Sequence, residues 1–266
     1  MYRRAAEANT RHDPPDWRVE ETIYAARSNI ANTTGAFADG ARLAEQAANI
    51  ARAGGDLADA SVGLATAASR YIVGGDAPAA VPLAREALTL ARRVGAPALI
   101  ATGLLAVGQA VGGTDPGQAS ACLRESRELS TALGYHSAID LIVATGIALL
   151  VGDRTTALEL GRSAIRGLQW GGDRRRMGIV LHRIAGALAT TRPDAAAIIE
   201  GAAAASVAQA PIFASQINSA LTAALGEERA RELRAHGADM DWEQALAYTL
   251  SQATQALNEL QAETQP

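Results

Sequence analysis

Apolar positions recur at helical spacing along nearly the whole chain. Residues 22–32, 59–73, 98–111, 137–151 and 174–190 carry broad apolar faces, the pattern of helices packed on more than one side. After each comes a more amphipathic stretch with small residues at i, i+4 and i+7. The small residues are Gly40, Ala44 and Ala47; Ala80, Ala84 and Ala87; Ala119, Leu123 and Ser126; Ala157, Gly161 and Ala164; and Ala197, Gly201 and Ala204. From one triplet to the next the chain advances 40, 39, 38 and 40 residues. Longer matches share this beat: residues 43–52 and 83–92 agree at five of ten positions, and Arg124, Glu125, Leu129 and Gly134 fall opposite Arg85, Glu86, Leu90 and Gly95. A small residue also recurs within the first helices, at Ala68, Gly108, Gly146 and Gly186. Glycine inside a helix costs about 1 kcal/mol relative to alanine, so its recurrence predicts close backbone approach between paired helices.

The connections agree with this reading. Gly54-Gly55-Asp56, Gly74-Gly75-Asp76, Gly112-Gly113-Thr114-Asp115 and Gly171-Gly172-Asp173 lie between helices. Glycine there ends one helix in the left-handed conformation and the acid caps the next. Pro82, Pro97, Pro116 and Pro193 are expected within or just before first turns, where a missing N–H costs little. Pairs of helices repeated every 38–40 residues predict an all-α chain, an α-solenoid of about five helix-turn-helix units, because one pair alone cannot bury its apolar face. The expected organisation is a polar segment over 1–17, repeats over 18–210, capping helices over 211–260 and a tail over 261–266.

Composition sharpens the picture. Of 266 residues 62 are alanine and none is lysine, so all 24 basic residues are arginine. Alanine favours helix and is depleted in strands, while 48% hydrophobic residues and a net charge of −4 exclude a disordered chain. The most apolar stretches, 99–111 and 141–151, fall short of the roughly 20 apolar residues needed to span a bilayer. Residues 1–18 lack the apolar core of a secretion signal. A cytoplasmic location without membrane attachment is expected. The acidic balance and the absence of long basic runs give no reason to expect direct nucleic-acid binding.

The small-residue triplets resemble the tetratricopeptide repeat, in a form longer than its usual 34 residues and lacking most of its Trp, Tyr and Pro positions. That resemblance implies right-handed coiling. Three carboxyl-terminal segments add to it: residues 194–205 (DAAAIIEGAAAA), 223–237 (AALGEERARELRAHG) and 240–250 (MDWEQALAYTL). Their order is similar to the end of the helical-repeat arm in large actinobacterial regulators. Those proteins join a signal-transduction ATPase to a LuxR-type DNA-binding domain or an adenylate cyclase. Leu233 or its neighbours replace the family's aromatic residues, and Asp241 stands where the family has serine; with Gln244 three residues on, Asp241 forms a capping box. No ATP-binding loop and no LuxR-like DNA-reading segment occurs in these residues. The resemblance implies a non-enzymatic interaction or sensor module, with a protein or peptide partner, room for a small-molecule inducer, and coupling supplied in trans or lost. A homodimer stays open, as do a standalone adaptor and, more remotely, an enzyme.

Catalytic and metal chemistry is sparse. His12, His136, His182 and His236 share no ligand spacing, so no metal and no cofactor is expected. His182 reads as a packing residue, and Cys122 as a small apolar filler. Trp170 and Trp242, near helix ends, read as anchors between units. Arg174, Arg175 and Arg176 form the one concentrated charge, which can hold an anion or acidic partner or simply decorate a helix start beside Asp173. By register, Asn29, Ser69 and Gln109 stand one unit apart, with Arg70 beside them. They are candidates for a polar groove that hydrogen-bonds an extended peptide, or for ordinary exposure.

Overall fold

The computed structural model describes residues 4, 8–10, 16–134, 137–169, 173–204 and 211–264, without the side chains of 211, 212, 263 and 264. His12, His136, Trp170 and the Gly171-Gly172 pair lie outside the described residues. The chain divides into two compact halves, residues 1–135 and 136–266. All regular structure among the described residues is helical. The amino-terminal half holds α1 (Trp17–Thr33), α2 (Phe37–Ala53), α3 (Leu57–Val73), α4 (Ala77–Val94), α5 (Pro97–Val111) and α6 (Pro116–Leu133). The carboxyl-terminal half holds α7 (Ala138–Leu150), α8 (Arg154–Gln169), α9 (Arg174–Leu188), α10 (Pro193–Ala204), α11 (Pro211–Leu225), α12 (Glu227–Ala238) and α13 (Trp242–Thr264). No helix of the described residues is long and apolar enough to cross a membrane.

In the amino-terminal half each helix packs on the next, and α3 also packs directly on α5. The connections explain why the helices stop where they do. Gly54 and Gly74 keep right-handed geometry, and the second glycine of each pair turns left-handed, at φ 84° for Gly55 and 89° for Gly75. Asp56 and Asp76 then accept from the free amides of the next first turn, which relieves donors that no helix can satisfy internally. The Gly112-Gly113 connection departs from the expectation. Neither glycine there has positive φ, and the cap comes from Asp115 accepting from Gln118 N–H at 2.9 Å. Pro97, Pro116 and Pro193 each open a helix, whereas Pro82 lies inside α4, beyond the first turn.

Fourteen of the fifteen triplet positions are buried, Ala204 alone being exposed. The contacts repeat with the sequence. Ser61 Oγ of α3 donates to the Ala87 carbonyl of α4 at 2.8 Å; one unit on, Ser126 Oγ of α6 donates to the Ala101 carbonyl of α5 at 3.1 Å. Positions 61 and 101 correspond, as do 87 and 126, so one interhelical hydrogen bond recurs with donor and acceptor exchanged. An ion pair recurs as well, Arg52 to Glu86 at 2.6 Å and Arg92 to Glu125 at 3.6 Å.

Close backbone approach falls elsewhere than expected. A Cβ added at Gly63 would meet Ala48 Cα at 3.1 Å, and one at Gly103 would meet Leu88 Cα at 2.9 Å. The tight crossings are therefore α2 on α3 and α4 on α5, between successive pairs rather than within them. Gly146 and Gly186, marked from sequence for backbone contact, instead make room for side chains. The Arg183 guanidinium lies against Gly146 and Ile217 against Gly186. In the carboxyl-terminal half α7–α10 pack in sequence with α7 also on α9, and α11, α12 and α13 cover α10. Gly201 and Gly237 let α10 and α12 touch backbone to backbone. Asp241 and Gln244 close the expected capping box at the start of α13, with reciprocal bonds of 3.0 and 2.8 Å.

Candidate functional site

The residues marked for a polar groove do not share one environment. Asn29 is exposed and accepts from the Arg70 Nη2 at 2.7 Å, while Nη1 of the same guanidinium donates to the Gly40 carbonyl at 3.3 Å. Arg70 is itself buried. Its side chain, lying on α3, clamps α1 and α2, and its charge is committed to the fold. Ser69 is half-buried, and Gln109 is buried on α5 with its Oε1 shielded from solvent and from any donor. The row passes from surface to core between the first unit and the third.

At the start of α9, Asp173 accepts from the Arg176 backbone amide at 3.0 Å and pairs with the Arg176 guanidinium at 2.9 Å. Arg174 is exposed and Arg175 half-buried. One member of the arginine triplet is thus spent on the cap, a geometry that matches a charged helix start.

Further along α9 lies a polar cluster that sequence reasoning saw only in part. His182 is buried as expected, with Nδ1 directly against the Glu200 carboxylate of α10 and Nε2 facing no acceptor. Its neighbour Arg183 drew no attention in the sequence. It is 5% exposed, donates to the Ile142 carbonyl of α7, and sits 5.6 Å from the Phe213 ring centroid on α11. Desolvation pushes its pKa down to about 10. Arg183 reaches 41 residues back along the chain, as Arg70 does to Asn29. Each buried arginine therefore ties together two first helices of neighbouring pairs.

The cavity of interest opens between α8 and α13. It measures about 320 Å³ and is lined by Arg162, Arg166, Leu250, Ser251, Thr254 and Gln255. Two guanidiniums project from α8 one turn apart, the spacing that puts i and i+4 side chains on one face. Neither makes an ion pair with a described residue, and the Arg162 Nε is enclosed without an acceptor. Opposite them, α13 is held by Arg192, which donates to Gln252 at 2.6 Å, to Gln255 at 2.8 Å and to Glu259 at 3.1 Å. That arrangement occupies the carbonyl end of Gln255 and turns its amide toward Ser251. The Thr254 hydroxyl donates to the Leu250 carbonyl at 2.7 Å. The sequence did carry a signal for this site: two arginines at i, i+4 on one helix. The partner surface on α13 could not be read, because nothing local brings residues 251–255 to α8.

Cys122 fills a core position, and burial together with Glu125 pushes its thiol pKa upward, away from nucleophilic use. Trp242 is half-buried at the first position of α13 with its indole N–H shielded. Among the described residues no group of three or more His, Cys, Asp or Glu could hold a metal ion. No protein-family model and no curated protein matches the chain in sequence.

Proposed function

We propose that the chain is a right-handed α-solenoid of about five tetratricopeptide-like units of 38–40 residues, ended by capping helices α11–α13. On this reading it is a non-enzymatic interaction or sensor module, similar to the repeat arm of LuxR-type and cyclase-associated ATPase regulators. The observation that supports it is the register of the contacts. The Ser61–Ala87 and Ala101–Ser126 hydrogen bonds, the Arg52–Glu86 and Arg92–Glu125 ion pairs, and the Gly63 and Gly103 crossings all recur 39 or 40 residues on. Stacked pairs of this kind present extended surfaces whose residues can vary without disturbing the core.

The partner on this reading is a protein or peptide, with a small-molecule inducer as co-regulator and no direct contact with nucleic acid. The test is affinity capture from the source cytoplasm with the intact chain and with a Thr66→Arg/Ser69→Arg variant, whose substitutions lie on half-buried first-helix positions. A binder carrying an ATPase or DNA-binding domain, retained by the parent and lost by the variant at unchanged melting temperature, would support the module. Capture indifferent to the variant, or none above background, would count against it.

A further inference from the structure

We propose that the cleft between α8 and α13 binds the phosphoryl group of a small organic phosphate. Its chemistry is one-sided. None of the six lining residues is acidic, two are arginine, and the Arg162 Nε already lacks an acceptor. Glu259 is taken by Arg192, and Glu159, exposed on α8, is not among the lining residues. Like charges one turn apart repel, and neither Arg162 nor Arg166 is in an ion pair with a described residue, so the two are suited to share an anion. A planar carboxylate suits one guanidinium in a two-pronged pair. Two guanidiniums a turn apart, with Ser251 of α13 lining the same cleft, call for three acceptors that are not coplanar, which a phosphoryl group supplies. Its double negative charge also matches the two cations. At about 320 Å³ the cleft is at the small end of ligand sites, and Leu250 offers an apolar wall for a short carbon skeleton. This inference is independent of the solenoid reading, since it rests on two helices of the carboxyl-terminal half.

The test is isothermal titration calorimetry of the full chain with glycerol 3-phosphate, inorganic phosphate and succinate at low and physiological salt. The variants are Arg162→Gln, Arg166→Gln and Ser251→Ala, with Arg154→Gln, exposed at the start of α8, as control. Glycerol 3-phosphate should bind saturably, at least tenfold more tightly than succinate, and more weakly as salt rises. Arg162→Gln and Arg166→Gln should each weaken it at least tenfold, and Arg154→Gln less than twofold. Arg166 is exposed, so its variant remains informative even if Arg162→Gln unfolds. Absence of saturable binding, or undiminished binding by Arg166→Gln, would overturn the site. Succinate binding as tightly would overturn the phosphoryl assignment, and inorganic phosphate binding as tightly would overturn the organic one.

Discussion

The crossing of α10 and α12 offers the most demanding test of the fold, because two glycines face each other's backbones there. A Cβ at Gly201 would be driven into the Arg234 carbonyl, with Arg234 Cα at 2.8 Å; a Cβ at Gly237 would be driven into the Ile198 carbonyl, with the Ala202 nitrogen at 3.0 Å. Carbon atoms prefer about 3.5–4.0 Å, and main-chain atoms cannot swing aside as a side-chain tip can. Alanine could be accommodated only by parting the helices, which would loosen their shared packing. Overpacking of this sort costs about 1–3 kcal/mol, occasionally more. Better helix propensity returns about 1 kcal/mol. Because the clash is with backbone, the upper part of the range applies, and Gly201→Ala or Gly237→Ala should each lose about 2 kcal/mol. For a chain this long that is roughly a 4–8 °C drop in Tm, read by circular dichroism at 222 nm. Two controls separate the causes. Gly113→Ala meets open space at ordinary φ and should change stability by less than about 1 kcal/mol. Gly55→Ala also meets open space but at φ 84°, so it should lose about 1–2 kcal/mol from backbone strain alone. The double variant should fall short of the sum, since helices already parted by one methyl admit the second more cheaply. If both single variants melt within about 1 °C of the parent, the α10–α12 crossing is not as described.

Other consequences follow from the buried charges and the caps. Arg183→Met should be neutral or stabilising by about 1–3 kcal/mol, as when buried ionic groups give way to apolar ones of similar volume. The pKa of Arg183 is lowered in the fold, so the unfolded chain holds the proton more firmly; the penalty is constant below pH 10 and relaxes only above it. The gain from Arg183→Met should accordingly be the same at pH 6 and pH 9 in urea titrations, and a gain that varies across that window would contradict this account. Removing Glu200 with Glu200→Ala, which strips His182 of its buried polar neighbour, should cost about 1–3 kcal/mol, measured by chemical denaturation. Asp241→Ala should lose about 0.5–2 kcal/mol and fray the start of α13 in amide exchange, with the Gln244 amide exchanging faster than in the parent.

Much of the architecture could be read from residue order because it depends on short spacings. The triplets at i, i+4 and i+7 are set by helix geometry, so their burial was legible; so was the Asp241–Gln244 box, whose partners are three residues apart. What failed depended on which neighbour a helix face meets. Gly146 and Gly186 looked like sites of backbone contact, yet Gly146 accommodates Arg183 from two helices further on and Gly186 accommodates Ile217. Gly63 and Gly103 stood one period apart and marked the true crossings, but glycine on a half-apolar helix looks alike whichever side it packs. Arg70 was marked as a groove residue because it lies beside the row of Asn29, Ser69 and Gln109. Its contact with Asn29 could not be read from register, and the consequence is the opposite of exposure, since the guanidinium is drawn inward to satisfy Asn29 and the Gly40 carbonyl.

These buried arginines bear on how an alanine-rich chain keeps its helices in order. With 62 alanines and few aromatic residues, helix faces rich in alanine offer similar surfaces, and a one-turn slip there would change the buried area little. A charged group that must find an acceptor does not tolerate a slip, because leaving it unpaired in the core costs far more than any difference in alanine packing. Arg70 meets Asn29 and Gly40 in one alignment of α1, α2 and α3; Arg183 meets Ile142 in one alignment of α7 and α9. The serine bonds to Ala87 and Ala101 act in the same way within pairs. Arg162 and Arg166 are of the same residue type in the same kind of helix, but their heads have no such acceptor among the described residues. That contrast distinguishes an arginine that fixes helix alignment from one placed to meet something outside the chain.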